Sequence, residues 1–198
     1  MSETVVIPCP GCGAIVPADK DECEWCHRPV MVRSYQSVDR MSPLDLNKYA
    51  SVYRQSLIAH PENSGISNSL GICFLKMKQY DNARNCFQQC IMNDPSCAEY
   101  YFYLSVCMLK GRKPFLLQRS EINEIEQNIN TAMMLSPDPL YTYFWALIRY
   151  DYHKRKFFNV TPDYNDLLHQ SIRDGVSILQ TDALYAMLNM ERPACFTV

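Results

Sequence analysis

Cysteine spacing constrains this chain more than any other feature. Cys9-Pro10-Gly11-Cys12 and Cys23-Glu24-Trp25-Cys26 are two C-x2-C pairs with ten residues between them. A two-residue gap brings both sulfurs of a pair to one tight turn, and two pairs supply the four thiolates of a tetrahedral zinc site. Gly11 and Gly13 flank Cys12, where such a turn needs small residues able to take positive φ. Val5-Val6-Ile7, Ala14-Ile15-Val16 and Val30-Met31-Val32 predict short strands around the turns. A segment of about 30 residues buries too little to fold unaided, so the metal is expected to supply the folding energy.

Two disulfides are the competing arrangement, and they require an oxidising compartment. The opening stretch, Met1 to Pro8, has neither the basic start nor the apolar run of a signal peptide, so secretion is not expected. A thioredoxin-like redox motif would need a βαβ context that the pattern lacks. Four thiolates leave no position open for water, so the zinc expected here is structural and not hydrolytic. The remaining cysteines, Cys73, Cys86, Cys90, Cys97, Cys107 and Cys195, mostly read as small buried hydrophobes at helical spacing. The first knuckle, Cys9-Pro10-Gly11-Cys12-Gly13, resembles short zinc ribbons of the C-P-x-C-G type. The second, Cys23-Glu24-Trp25-Cys26-His27, lacks their trailing glycine.

Past residue 43 the pattern changes: glycine becomes rare and apolar residues recur every three to four positions. Ser42-Pro43 and Thr161-Pro162 predict N-caps followed by proline, and Ser96-Cys97-Ala98-Glu99 predicts a capping box. Leu70-Gly71, Phe74, Ala83, Phe87, Cys90 and Pro95 recur as in a helix pair of fixed period. This window resembles the tetratricopeptide repeat, with Gly71 and Ala83 small where two helices cross and Phe74 and Phe87 filling the space beside them. Tyr101, Leu104 and Met108 with Ile125, Ile129, Ala132 and Pro137 resemble a second pair. Tyr143, Leu147 and Tyr150 with Pro162 to Arg173 resemble a third. The expected architecture is an all-α TPR-like helical solenoid preceded by a small β-rich zinc ribbon. Its parts are a ribbon over 1–32, a linker over 33–42, repeats over 43–173, and a capping helix and tail over 174–198.

The chain has 198 residues, 47% hydrophobic, with a formal net charge of −2. That excludes a generally basic nucleic-acid binder and a disordered acidic tail. No apolar run has the ~18 residues of a membrane span. There is no glycine-rich phosphate loop, no H-E-x-x-H and no G-x-S-x-G, and the four histidines lack evident catalytic partners, so an enzyme is not expected. Glu121, Glu124 and Glu126 read as a solvated acidic face.

Placed on the repeat, charge separates. Nine of the nineteen Lys and Arg fall in turns within pairs: Lys76 and Lys78, then Lys110, Arg112, Lys113 and Arg119, then Lys154, Arg155 and Lys156. Glu62, Asp94, Glu99 and Asp138 fall in turns between pairs. The basic edge from Lys110 to Lys156 suits an anionic partner. First helices line the groove of the family that the chain resembles. Its counterparts here are Asn68, Phe102, Tyr103, Phe144 and Tyr152, an aromatic groove suited to an extended peptide or amphipathic helix. The expected function is a cytoplasmic, non-enzymatic adaptor with one structural Zn2+, binding protein or peptide partners. The alternative is a nucleic-acid-associated regulator gripping phosphates with the ribbon and the basic edge. No membrane association is expected, and oligomeric state is not legible.

Overall fold

The computed structural model describes residues 5–197. The first four residues of the expected ribbon and the last residue of the expected tail lie outside them. The chain forms two compact units, Met1–Pro95 and Ser96–Val198.

In the first unit, β1 (Val6–Pro8) and β2 (Ile15–Pro17) form an antiparallel hairpin, with Ile7 opposite Val16. Ile7 and Val16 are buried, while Val6 and Ile15 point outward. Three helices follow: α1 (Pro43–Ala59), α2 (Ser64–Lys76) and α3 (Tyr80–Asn93). Ser42 caps α1 by accepting from the Asp45 N–H, and Pro43 opens the helix, as the sequence predicts. The α2–α3 crossing also follows the sequence reading. A Cβ on Gly71 would lie 2.9 Å from the ring of Phe87, so only glycine lets α3 approach this closely. Ala83, Phe87 and Cys90 are fully buried on the facing side of α3.

The third expected strand is a correction. Val30-Met31-Val32 is not a strand; only an isolated bridge joins Glu22 and Pro29. Pro29 has no N–H for a ladder, and helix side chains take up the backbone groups that follow. The Tyr53 hydroxyl accepts from Val32 N–H at 3.1 Å and donates to the Val30 carbonyl at 2.9 Å. Tyr49 donates to the Pro29 carbonyl, and Ser69 to the Val32 carbonyl, each at 2.9 Å. Arg28 adds an ion pair to Asp45 at 3.3 Å. The ribbon is thus seated on α1 and α2 by side-chain-to-backbone hydrogen bonds.

The stretch expected as a linker contains a 3₁₀ turn, Tyr35–Val38, with Tyr35 and Val38 buried. Lys76 of α2 reaches Asp39 at 2.8 Å and lies over the Tyr35 ring at 5.1 Å.

The second unit holds α4 (Ala98–Leu109), α5 (Arg119–Leu135), α6 (Pro139–Ile148), α7 (Tyr164–Arg173) and α8 (Ile178–Leu188). A 3₁₀ turn, Pro114–Leu116, precedes α5, and a π-helical segment, Arg149–Lys154, extends α6. Helices α4 and α5 pack as a pair, as do α6 and α7, while α8 packs on α4 and α6. Ser177 and Gln180 form a capping box at the start of α8, and Gly175, at φ +90°, ends the preceding turn.

Two expected caps shift. Cys97, not Ser96, is the N-cap of α4, and its side chain makes no cap bond. Helix α7 starts beyond Thr161-Pro162, because Asp163 caps it by accepting from Asp166 N–H at 2.9 Å. The tail also differs from a free end. Phe196 is fully buried, with ring centroids 5.5 Å from Tyr143 and 5.4 Å from Tyr150. Tyr143 donates to the Phe196 carbonyl at 3.0 Å and lies 3.2 Å from the Tyr185 hydroxyl, which therefore donates to it. No described helix is long and apolar enough to cross a membrane.

Candidate metal centre and surface sites

The two knuckles bring Cys9, Cys12, Cys23 and Cys26 together, with all four sulfurs within 4.8 Å of one another. Cys9 and Cys26 sulfurs are 3.6 Å apart, and those of Cys12 and Cys23 are 3.7 Å apart. A disulfide would need about 2.05 Å. Four sulfurs at ~2.3 Å from one tetrahedral ion lie about 3.8 Å apart, so the set fits a single metal ion. The knuckle backbone supports this. Gly13 N–H donates to Cys9 carbonyl at 2.8 Å, and Gly11 N–H donates to the Cys9 sulfur at 3.3 Å. A side chain on Gly11 would press on Arg28 at 2.7 Å and the Cys26 sulfur at 3.0 Å.

The four thiols act on one another's ionisation. For Cys23, burial opposes ionisation, yet N–H groups of Trp25 and Cys26 and the thiols of Cys9 and Cys12 outweigh it, bringing the thiol down to about 7. For Cys26, the Arg28 backbone favours the thiolate, but burial and the three neighbouring thiols push it up to about 12. Burial raises Cys9 as well. Four thiolates this close repel, and a bound dication removes that repulsion. Among the described residues no other group of three or more potential ligands gathers this way.

The aromatic groove is a correction. Phe102, Tyr103, Phe144 and Tyr152 are all buried. Phe102 packs against Tyr103, Tyr141 and Phe144 at 5.4, 5.0 and 5.9 Å. Phe102, Tyr103 and Phe144 lie on helices whose apolar residues run nearly all the way round, and core packing takes them, while Tyr152 sits in the π-helical segment against Phe158 and beneath Lys156. Asn68 is buried too, with its Oδ1 unpaired.

The basic side chains of the second unit are largely exposed, and two stretches of them meet. Arg155 and Lys156 lie over the Phe115 ring at 4.4 and 5.1 Å, and Arg119 lies over Phe158 at 5.6 Å. Asp151 anchors the contact by accepting from Phe115 N–H at 2.8 Å and pairing with Arg155 at 2.6 Å. Arg112 pairs with Glu121 at 3.1 Å. Lys110, Lys113 and Lys154 are exposed.

Glu126 is not part of a solvated face. It is nearly buried, 2.8 Å from Arg149 Nε and 3.4 Å from His153 Nε2, and it accepts from Trp145 Nε1 at 3.1 Å. Burial would raise its carboxyl, but the His153 contact and the Arg149 charge prevail and hold it below the usual range. The separation of Glu126 from Arg149 and His153 along the chain left no local motif to reveal this group.

In comparison with known proteins, the chain matches no protein-family model and no curated relative.

Proposed function

We propose that this protein is a non-enzymatic adaptor, braced by one structural zinc ion, whose helix pairs stack in the tetratricopeptide manner and whose ribbon docks a protein partner. Zinc is preferred because it favours four tetrahedral thiolates and has no redox chemistry of its own. A closed four-thiolate set gives that ion no catalytic position. The site needs reduced thiols, which suits a compartment such as the cytoplasm.

The observation that carries the docking role is Trp25. It lies between two ligand cysteines and is 75% exposed, with Val6 and Ile15 also outward on the hairpin. An indole held on a metal-braced turn is a low-entropy anchor for a partner's pocket. Asp19, Asp21, Glu22 and Glu24 surround it in sequence against Lys20 and Arg28, and Arg28 is paired with Asp45, so the ribbon is poorly suited to gripping phosphate.

The test is affinity capture from native extract with and without nuclease, using the wild type and Trp25→Ala. Proteins retained after nuclease and lost with Trp25→Ala support the reading. No retained protein, or a set indifferent to Trp25, refutes it.

A further inference from the structure

Charge in the second unit is concentrated. Residues 110–121 and 149–158 hold eight Lys and Arg against the carboxylates of Glu121 and Asp151, a net charge of +6 in a chain whose total is −2, with Glu126 paired to Arg149 and Asp163 and Asp166 lining the neighbouring cavity. The Phe115 and Phe158 contacts join these stretches into one patch. Two consecutive rings stand out of it: Phe157 is 91% exposed and Phe158 42%. Phe157 sits at φ +59°, a left-handed conformation that a bulky residue rarely takes. The turn is held by Phe157 N–H to Lys154 carbonyl at 3.1 Å and Phe158 N–H to His153 carbonyl at 2.9 Å. Beside the rings lies a cavity of about 440 Å³, lined among others by Lys154, Phe158, Asn159, Asp163, Tyr164 and Asn165.

We propose that this patch binds single-stranded nucleic acid. Unpaired bases stack on Phe157 and Phe158, phosphates meet Lys113, Lys154 and Lys156, and one base reaches the polar groups of the cavity. Exposed rings beside cations are the elements of such recognition, because every base offers a π-face while the backbone supplies the charge. A duplex keeps its bases stacked internally and cannot use the rings. An acidic peptide would use the cations but not two exposed rings. The proposal does not rest on the adaptor reading, which concerns Trp25 in the other unit.

The experiment is fluorescence anisotropy of the full chain with a labelled oligouridine of about 15 nucleotides. The wild type is expected to bind at low salt, with affinity falling as salt rises in proportion to the phosphates neutralised. Phe157→Ala, at an exposed and strained position that no packing needs, is expected to weaken binding roughly fivefold to hundredfold, the range for losing one stacked base. Lys113→Glu with Lys154→Glu is expected to weaken it further and flatten the salt dependence. A thermal melt checks that both variants remain folded. The proposal is overturned if the oligouridine does not bind, or if Phe157→Ala binds as the wild type does. Tighter binding to a blunt duplex, to phosphatidylserine vesicles or to polyglutamate also overturns it.

Discussion

At Gly71 a single missing methyl group sets a helix crossing. Its Cβ would meet Phe87 at 2.9 Å and Cys86 at 3.2 Å. Gly71→Ala improves helix propensity by roughly 1 kcal/mol. Overpacking costs typically about 1–3 kcal/mol, so the net change is expected to be destabilising. A lowered urea midpoint with an unchanged slope checks this; a raised midpoint would mean that α3 can retreat freely. The position was legible because a glycine beside helical leucine, three residues before an aromatic, has few other uses. The Tyr53 hydroxyl was not legible. It serves Val32 and Val30, more than twenty residues back in the chain, and nothing local distinguishes it from any core tyrosine.

Elements in this protein are held by what docks on them. The ribbon has two short strands, and its third apolar stretch is satisfied by α1 and α2. Metal removal is therefore expected to loosen more than the knuckles. In a Trp145→Phe background Trp25 is the one remaining tryptophan. Chelation should shift its emission and lower the far-UV thermal midpoint, and one equivalent of zinc should restore both. An unchanged midpoint would show that the hydroxyl contacts suffice. At the other end, Phe196 docks a segment without regular structure onto α6 by way of Tyr143 and Tyr150. Phe196→Ala is expected to cost about 3–5 kcal/mol, read from chemical unfolding. A change within error would mean that the tail contributes nothing to the unit.

For the molecule as a whole, acid stability should follow Glu126. Its carboxyl is held below its ordinary value of about 4.3. A depressed folded value stabilises above the unfolded one and is lost as pH falls through the folded one. Unfolding followed through Trp145, which donates to Glu126, should show stability declining below about pH 4. Glu126→Gln is expected to cost about 3 kcal/mol at neutral pH, by leaving Arg149 without its partner, and to flatten that decline. A decline of equal steepness in the variant would place the acid lability elsewhere.

Local pattern alone marked out the four clustered cysteines, the succession of helices, the α1 cap and the Gly71 crossing. Each is marked by short, regular spacings along the chain, where spacing dictates geometry. Only the tertiary structure decided that Phe102, Tyr103, Phe144 and Tyr152 are core, that Phe157 is presented to solvent, and that Glu126 is paired. Helices that are apolar on nearly every face carry no periodic mark of which side is covered. Burial is then settled by neighbours distant in sequence, through packing that no single segment encodes.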